Sequence, residues 1–405
     1  MALTISVEDI ISTTNNPLLQ AKPHWTRVRL GDVATVLNGY AFKAELFNRN
    51  EGTPLIRIRD VGSDDSQTLY SGEFESKYLV QPGELLIGMD GDFNCARWRG
   101  KPSLLNQRVC KVSISTDAYE DRFLDFVLPG YLKAINDATS SITVKHLSSR
   151  TIQDIPLPCP PIGEQREIVA EIEKQFSRLD EAVANLKRVK ANLKRYTNSV
   201  YAEVFCHEPN CTLGDAIEDG PQNGLYLPKE MYGEGVPILR IDDYQTAWIR
   251  PLEDLRRVKA TPDQIATWAL KDGDLVINRV NSMTHLGKCA LVPAVLAGTV
   301  FESNMMRMRL KKDVLPKYVE HYLASRLGKT RLTENAKWAV NQASINQKDV
   351  RATPIFLPDR PAQQVVVADV DRRLSIIKST AFDVDANIQR AQSLRQSVLS
   401  RSFAG

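Results

Sequence analysis

Two arginines flank a tryptophan in the segment Arg97-Trp98-Arg99-Gly100-Lys101, which the glycine marks as a loop. Guanidinium groups bind phosphate oxygens and an indole ring can stack on a base, so this spacing is typical of a nucleic-acid contact. In the alternative interpretation the loop is only solvated and Trp98 packs on a core. The sequence leaves both interpretations open.

A second group of hydrogen-bonding side chains, Asn278-Arg279-Val280-Asn281-Ser282, directly follows a predicted strand. Amide groups match the edge of adenine and guanidinium groups match the edge of guanine, so this group could read bases in a major groove. A turn held by Asn281 and Ser282 explains the same residues equally well.

Further candidates for nucleic-acid contact share a cationic, amide, imidazole or aromatic side chain in a presumed loop. Arg57 and Arg240 also occupy equivalent positions of an internal repeat, so either could be structural and pair with Asp60 or Asp243. The remaining candidates are Arg59, Gln107, Arg108, Lys145 and His146 in the first half of the chain and Tyr244, His285, Lys288, Lys337, Trp338, Asn341 and Gln342 in the second.

Signatures of catalysis are missing from the sequence. Pro160-Pro161 follows Cys159 instead of the Asn or Asp of a methyltransferase tetrapeptide, and no Pro-Asp dipeptide is followed by the acidic-x-Lys pair of a nuclease. Cys206, His207 and Cys211 lack a second pair of ligands at zinc-site spacing. We therefore predict no catalytic residue and no metal in this chain.

A hydrophobic seam indicates the elements that would position these loops. Between 161 and 206 the seam residues alternate at spacings of three and four, which predicts one long helix with a coiled-coil face. The same register recurs 198 residues later and predicts a second long helix over 361–405. The seam positions are Val169, Ile172, Phe176, Leu179, Val183, Leu186, Leu193, Val200, Val367, Val370, Leu374, Ile377, Val384, Ile388 and Val398.

Polar residues within the seam indicate how the helices pair. Lys190 and Thr197 lie in the second half of the first helix, and Arg395 and Ser402 lie in the second half of the other. An antiparallel pair sets each weak end against an apolar first half, so we predict an antiparallel coiled coil with pseudo-twofold symmetry. Each helix would be about 65 Å long. An intermolecular coiled coil is the alternative.

Short motifs before each helix recur in the same order, so the chain is an internal duplication. Leu30-Gly31-Asp32 matches Leu213-Gly214-Asp215 with an offset of 183, and from Asn106 and Asn304 onward the offset is 198. Each repeat has β-branched runs and then a helical pattern, which predicts an α/β (α+β) fold. The predicted parts are a leader at 1–24, globular domains at 25–160 and 207–360, and helices at 161–206 and 361–405.

Composition is that of an ordinary globular protein, with 25% charged residues and a formal net charge of +3. Bulk charge therefore neither requires nor excludes a nucleic-acid partner. The sequence begins without the layout of a signal peptide, has no apolar run long enough to span a bilayer, and contains 6 scattered cysteines. We predict a reducing, cytoplasmic location without membrane contact.

Two α/β regions that each end in a proline-rich hinge and a long helix resemble the DNA specificity subunits of type I restriction–modification systems. The resemblance is carried by Leu30-Gly31-Asp32, Gly83-Glu84-Leu85-Leu86-Ile87, Asn106-Gln107, Ile155-Pro156-Leu157-Pro158, Glu164-Gln165-Arg166-Glu167-Ile168-Val169 and their counterparts in the second repeat. One departure is Ala362, which replaces the Glu of the second hinge and is expected to weaken the second helix cap.

The resemblance implies a noncatalytic subunit in which target-recognition domains at 25–160 and 207–360 each read one half of a split sequence in double-stranded DNA. It also implies that the helix pair sets the gap between the halves and binds two methyltransferase subunits, and that restriction subunits join the complex. S-adenosylmethionine, ATP and Mg are then expected only in those partners. A noncatalytic adaptor whose globular ends bind proteins is the alternative function.

Overall fold

The computed structural model describes residues 6–14, 19, 21–139, 145–245, 248–282, 284–339 and 342–403. The chain divides into two compact units. Unit 1 comprises Met1–Asn185 and Asn387–Gly405, and unit 2 comprises Leu186–Ala386. Each unit contains a mixed α/β region, which confirms the predicted fold class, and a part of both long helices. Within the described ranges, no helix is both long and apolar enough to cross a bilayer.

Unit 1 contains short helices, one amphipathic helix and the first part of a long helix. The helices are α1 (Val7–Thr13), α2 (Leu30–Val33), α3 (Asp121–Ala138), α4 (Ser149–Gln153) and α5 (Ile162–Val204), which continues into unit 2. The strands are β1 (Thr26–Arg29), β2 (Ala34–Asn38), β3 (Phe47–Asn48), β4 (Thr53–Ile56), β5 (Leu69–Tyr70), β6 (Leu79–Val80), β7 (Leu85–Gly88), β8 (Cys95–Arg97), β9 (Ser103–Leu105), β10 (Val109–Ile114) and β11 (Pro156–Cys159).

The core of unit 1 lies between helix α3 and an antiparallel sheet with the strand order β2-β10-β7-β8. Phe123, Val127 and Tyr131 of α3 are fully buried, because their spacing of four places them on one face of the helix. A second sheet has the order β3-β5-β4-β9-β6. The predicted leader contains α1, whose Val7 and Ile10 join the same core as α3.

Unit 2 has the same kinds of element. Its helices are α6 (Leu213–Ala216), α7 (Pro262–Trp268), α8 (Pro316–Ala324), α9 (Arg326–Thr333), α10 (Gln347–Ala352) and most of α11 (Arg360–Phe403). Its strands are β12 (Cys211–Thr212), β13 (Ile217–Asn223), β14 (Tyr232–Leu239), β15 (Tyr244–Gln245), β16 (Trp248–Ile249), β17 (Arg257–Val258), β18 (Leu275–Asn278), β19 (Val280–Asn281), β20 (Cys289–Leu291), β21 (Val300–Phe301), β22 (Met305–Leu310), β23 (Lys337–Ala339), β24 (Gln342–Ser344) and β25 (Pro354–Ile355).

The main sheet of unit 2 has the order β13-β22-β18-β20, which matches the main sheet of unit 1 strand by strand. β10 begins at Val109 and β22 at Met305, an offset of 196 that corrects the predicted 198. The offset reaches 198 at the hinge residues Gln165 and Gln363, because the segments between strand and hinge differ in length. The β15–β16 hairpin has no counterpart among the described residues of unit 1.

A buried glutamine holds the hinge at the start of the first long helix. Gln165 Nε2 donates to the Pro160 carbonyl at 2.8 Å, and its Oε1 accepts from the Glu120 N–H at 2.8 Å. Both ends of one amide are therefore used to fix the direction in which α5 leaves the sheet region. A buried amide that is satisfied in this way stabilises one hinge geometry.

The second hinge uses the same arrangement. Gln363 Nε2 donates to the Pro358 carbonyl at 2.8 Å, and its Oε1 accepts from the Leu315 N–H at 2.7 Å. The N–H of Ala362 donates to Asp359 Oδ1 at 3.0 Å. Asp359 therefore caps the first turn of α11, and the weakening of this cap by Ala362 stays a prediction.

Within unit 2, α5 and α11 run antiparallel. Lys190 pairs with Asp385 at 2.6 Å, and Glu203 pairs with Arg373 at 2.8 Å, so rising numbers on α5 meet falling numbers on α11. The polar seam residue Lys190 thus has a carboxylate partner on the opposite helix.

The helix segments of unit 1 also run antiparallel. Arg395 pairs with Asp180 at 2.6 Å and lies 4.2 Å from the centroid of the Phe176 ring. Phe403, further along α11, joins the core that contains Ile172, which lies earlier on α5. All of the predicted apolar seam residues along both helices are buried or half-buried, whereas the polar seam residue Lys190 is exposed.

Candidate nucleic-acid interface

Two predicted side chains of unit 1, Arg108 and His146, form a cluster with Asp90 beside the ends of β7 and β10. Asp90 Oδ1 and Arg108 Nη1 lie 2.7 and 3.2 Å from His146 Nδ1, and a β-bridge joins Asp90 to His146. Arg108 has a positive φ of 72°, and its carbonyl accepts from the Met89 N–H at 2.8 Å. Its side chain is 55% exposed, so the guanidinium group is accessible to a ligand.

Two neighbours of this cluster differ in their surroundings. Gln107 is exposed in the same turn as Arg108. Lys145 Nζ instead donates to Asn136 Oδ1 at 2.7 Å and to the Asn136 carbonyl at 3.2 Å. The ammonium group of Lys145 therefore satisfies the C-terminal end of α3, a structural role that cations commonly fill.

Arg57 and Arg59 are both exposed beyond the end of β4. The carboxylate of the buried Asp60 accepts from the backbone N–H of Arg57 at 2.9 Å and lies 3.7 Å from Arg59 Nε. The suggested ion pair between Arg57 and Asp60 is thus a bond to the backbone. Asp60 therefore holds the turn through the backbone of Arg57 and not through its guanidinium group.

The repeat-equivalent Arg240 is held more firmly. Asp243 accepts from its backbone N–H at 3.0 Å, while Arg240 Nε pairs with Glu302 at 3.0 Å. Asp243 itself pairs with Arg250 Nε at 2.9 Å. The suggested Arg240–Asp243 ion pair is therefore replaced by pairs with two other partners.

Trp98 belongs to the core of unit 1. Its side chain is 2% exposed, and Nε1 donates to the Lys101 carbonyl at 2.7 Å. A buried indole offers no face to a base, so the geometry supports the structural alternative for this residue. Arg99 and Lys101 remain exposed on either side of it.

Arg97 of β8 forms ion pairs with two carboxylates of α3. Its Nε lies 2.7 Å from Asp125 Oδ2 and its Nη1 lies 2.8 Å from Asp121 Oδ2. Burial raises the pKa of Asp125 above its usual value, although the hydrogen bond from Arg97 opposes that rise. Burial alone would lower the pKa of Arg97, but the two carboxylates raise it. Arg97 is therefore occupied by a structural ion pair.

Three candidates of unit 2 form a buried network. The Tyr244 hydroxyl donates to Asn278 Oδ1, and Asn278 Nδ2 donates to the His285 carbonyl at 3.3 Å. Lys288 Nζ donates to the Ile241 carbonyl at 2.9 Å and lies 4.7 Å from the centroid of the Tyr244 ring. Burial lowers the pKa of Lys288 and raises that of Tyr244. These side chains hold the turn that follows β18.

The remaining candidates of unit 2 surround a small antiparallel sheet with the order β19-β24-β23. Lys337 and Gln342 are exposed on it, and Ser282 and His285 are exposed in the adjoining turn. Two of its strands, β23 and β24, pair as an antiparallel ribbon, and a two-stranded ribbon fits a major groove.

Two members of the same turn are engaged with the backbone. Asn281 Oδ1 accepts from the Ser282 N–H at 2.8 Å, as the turn alternative predicts. Arg279 Nη1 donates to the Ser303 carbonyl at 3.1 Å. Trp338 lies in β23, and Asn341 lies outside the described residues.

A basic pocket of about 880 Å³ in unit 2 was missed by the sequence reasoning, apart from Arg240. It is lined by Lys229, Tyr232, Arg256 and Arg257 as well as Arg240. The adjacent arginines 256 and 257 are the signal that could have indicated it. Among the described residues, no group of three or more His, Cys, Asp or Glu side chains has the geometry of a metal site.

Comparison with known proteins gives a consistent set of relatives. The family model for the type I restriction modification DNA specificity domain matches residues 23–195. The type I restriction enzyme EcoBI specificity subunit of Escherichia coli is 31% identical over 435 residues, which span 100% of this chain and 91% of the relative. The EcoKI specificity subunit of Escherichia coli (strain K12) is 24% identical over 94% of this chain and 89% of its own length.

Solved structures share the fold. One solved structure comes from a study of complex assembly and conformational transition in a type I R-M system. Its chain superposes with a TM-score of 0.71 at 19% identity, and the alignment covers 95% of this chain and 99% of that chain. The HsdS subunit from Thermoanaerobacter tengcongensis superposes with a TM-score of 0.53 at 19% identity and covers 95% of this chain and 98% of that chain.

Proposed function

We propose that this chain, which belongs to the family of type I restriction enzyme specificity subunits, reads a split DNA sequence with one globular region for each half. It is the DNA specificity subunit of a type I restriction–modification complex. The observation that carries the proposal is one scaffold used twice with different exposed side chains. At the equivalent β-bridge, unit 1 has Asp90 and His146 where unit 2 has Val280 and Ser344.

In unit 1 we assign base or phosphate contact to Arg57, Arg59, Arg99, Lys101, Gln107, Arg108 and His146, which are exposed or half-exposed. In unit 2 we assign it to Ser282, His285, Lys337 and Gln342. Arginine and glutamine form paired hydrogen bonds with guanine and adenine edges, and lysine binds phosphates. Because the two sets differ, the two half-sites should differ in sequence.

We also propose that α5 and α11 bind two methyltransferase subunits and that restriction subunits join this assembly. Large apolar side chains on the helix segments of unit 2 support the proposal, since Tyr196, Ile376 and Phe382 are 52%, 60% and 75% exposed. Exposed apolar groups on a folded protein commonly mark contacts with another chain. The partners would supply methylation with S-adenosylmethionine and cleavage with ATP and Mg.

Mapping methylated bases in host DNA with and without this gene tests the proposal. The expected result is a set of methylated sites that share a split sequence with a fixed gap and that disappear when the gene is deleted. Unchanged methylation, together with loss of some other protein complex, would favour the adaptor function instead.

The helix pair is proposed to set the gap between the half-sites. Inserting seven residues after Leu186 and seven after Val384 adds about 10 Å to each helix. We expect the gap to grow by about three base pairs, at about 3.4 Å each, with both half-sites unchanged. An insertion in α5 alone is the control and should abolish assembly, because it makes α5 one heptad longer than α11 and the helices can no longer pair along their whole length. An unaltered gap in the double insertion contradicts this role.

A further inference from the structure

The basic pocket of unit 2 carries more positive charge than its surroundings neutralise. Glu302 matches the charge of Arg240 at 3.0 Å. In the described part of the chain, no carboxylate lies within 4.0 Å of the charged groups of Lys229, Arg256 or Arg257, and the pocket lining contains no acidic residue. The concave surface therefore has the sign and size to take an anionic group.

The extra charge is specific to the second repeat. The Arg256 carbonyl accepts from the Ile238 N–H at 2.9 Å, as the Thr68 carbonyl accepts from the Leu55 N–H at 2.8 Å in unit 1. Arg256 thus stands where unit 1 has Thr68. By the same pairing, Arg257 lies opposite Pro237 in unit 2 where Leu69 lies opposite Pro54 in unit 1.

Lys229 follows the same pattern. It begins the short 3-10 helix Lys229–Met231, and the corresponding 3-10 helix of unit 1 is Ala44–Leu46. Neutral residues therefore suffice to build this part of the fold in unit 1. In unit 2, Arg257 Nη1 donates to the Gly235 carbonyl at 2.9 Å, a bond that uses one N–H of its guanidinium group and no part of its charge. Folding alone thus does not account for the combined charge of Lys229, Arg256 and Arg257.

The pocket residue Arg240 connects the pocket to the turn that precedes β22, because it pairs with Glu302. Glu302, which holds Arg240, also accepts from the Ile241 N–H at 2.6 Å, and the next residue, Ser303, accepts from Arg279. This turn corresponds to the turn of Gln107 and Arg108 in unit 1, since the carbonyls of Asn304 and Arg108 accept equivalent backbone bonds. Arg240 and Glu302 thus link the pocket to the turn whose counterpart in unit 1 is assigned to DNA contact.

We propose that Lys229, Arg256 and Arg257 bind phosphate groups of the DNA backbone beside the half-site that unit 2 reads. This inference rests on the proposed function. Guanidinium groups bind phosphate oxygens in a two-pronged manner, and the apolar Leu227, Tyr232 and Leu255 of the pocket wall suit the adjoining sugar. Phosphate contacts fix position and add affinity without reading sequence.

The test uses the full chain assembled with its methyltransferase subunits. Binding of R256A/R257A is measured at several salt concentrations on a duplex with the mapped sequence and on one with the unit 2 half-site scrambled. We expect the slope of log affinity against log salt to become shallower by about 1.8, because each lost phosphate contact removes about 0.9. At about 0.15 M salt this corresponds to about 30-fold weaker binding, by the same factor on both duplexes.

Two control variants keep the result interpretable. R256K/R257K retains both charges and should retain the slope. Lys311 and Lys312 directly follow β22, at the end of the strand that lies away from the turn of Glu302. The variant K311A/K312A therefore removes two positive charges outside the pocket, and it should leave the slope unchanged. If thermal melting shows that the double variant is unfolded, the single variant R256A replaces it in the binding measurements. Its slope of log affinity against log salt should become shallower by about 0.9.

Three outcomes overturn the inference while the proposed function stands. An unchanged slope in R256A/R257A means that these residues do not contact phosphates. A changed preference for bases means that they read sequence. Loss of assembled methyltransferase at an unchanged slope means that the pocket holds an acidic protein segment. Failure of the unmodified complex to prefer the split sequence contradicts the proposed function itself.

Discussion

Unit 1 has a cluster of aromatic rings at the place in its fold where unit 2 has a basic pocket. Beside β4 and β5 of unit 1, the rings of Phe42 and Tyr70 pack at an angle of 57° with their centroids 4.8 Å apart, and the ring of Tyr40, a residue that is 49% exposed, lies 5.2 Å from that of Tyr78. Beside β14 and β17 of unit 2 stands the basic pocket. The sheets determine where these loops lie, whereas the loop residues determine what each unit can contact.

A second comparison separates structural from functional charge. Asp125 on α3 and Glu320 on α8 are largely enclosed carboxylates that face equivalent strands. Each pairs with a cation of its own helix, Asp125 with Arg122 at 2.8 Å and Glu320 with Lys317 at 2.6 Å. Arg97 adds a second cation to Asp125, whereas its counterpart Leu291 offers Glu320 only a backbone N–H, at 3.1 Å. The arginine that the sequence suggests for DNA contact therefore serves a carboxylate in unit 1 and has no cationic counterpart in unit 2.

The largest expected effect comes from breaking this ion pair. Arg97→Ala leaves the half-buried Asp125 carboxylate with Arg122 as its remaining cationic partner, so we expect the free energy of unfolding to fall by about 3 kcal/mol, the lower end of the cost of breaking a buried ion pair. The matched variant Arg99→Ala changes an exposed side chain and should alter stability by less than about 0.5 kcal/mol. Urea denaturation measures both. An Arg97→Ala variant as stable as the unmodified protein contradicts the structural assignment.

The same variant should show a new dependence of stability on pH. Burial already raises the pKa of Asp125 above its usual 3.8, and loss of the Arg97 hydrogen bond raises it further. A raised pKa in the folded state means that stability is retained at low pH and lost as pH rises through that pKa. The deficit of Arg97→Ala should therefore narrow as pH falls from about 7 towards about 4.

Asp125→Asn in the Arg97→Ala background is the control for this titration. Neither the double variant nor Asp125→Asn alone can ionise at position 125, so the difference in stability between these two variants should not change with pH. A constant deficit of Arg97→Ala across the same range would show that another group controls its stability.

Base contacts should give smaller effects that are confined to one half-site. Arg108→Ala in unit 1 and Gln342→Ala in unit 2 each remove one side chain suited to base edges, with an expected loss of about 1–3 kcal/mol of discrimination. Affinities for duplexes with single substitutions in either half-site measure this loss. The two variants should relax different halves. Relaxation of the same half by both would break the correspondence between unit and half-site.

Much of the scaffold could be predicted because it rests on local spacing. Heptad periodicity indicates both long helices, and the hinge prolines exclude helix before Pro161, which immediately precedes the observed start at Ile162. The duplicated motifs indicate equivalent sheets. The offset of 196 at β22 could not be obtained this way, because a change in loop length leaves no signal when the flanking residues are dissimilar.

The candidate site was less predictable because burial depends on distant parts of the chain. Asn278 has a side chain suited to adenine, yet Tyr244 covers and binds it from 34 residues away. Trp98 is similarly enclosed in its core. The basic pocket was missed for the opposite reason, since Lys229 meets Arg256 and Arg257 only after β14 and β17 pair.

The smallest expected effect is the coupling energy between side chains of α5 and α11, which can be compared between the two units. Lys190 and Asp385 of unit 2 form an exposed ion pair, whereas Arg395 of unit 1 pairs with Asp180 and also covers the Phe176 ring. Alanine double-mutant cycles should give a coupling of about 0.2–1 kcal/mol for Lys190–Asp385, because solvent screens exposed charges. The Arg395–Phe176 contact should add about 0.5–1 kcal/mol that persists in 1 M salt, where the Debye length is about 3 Å. Equal couplings that both vanish in salt would mean that the ring contact contributes nothing and that the two helix segments are held alike.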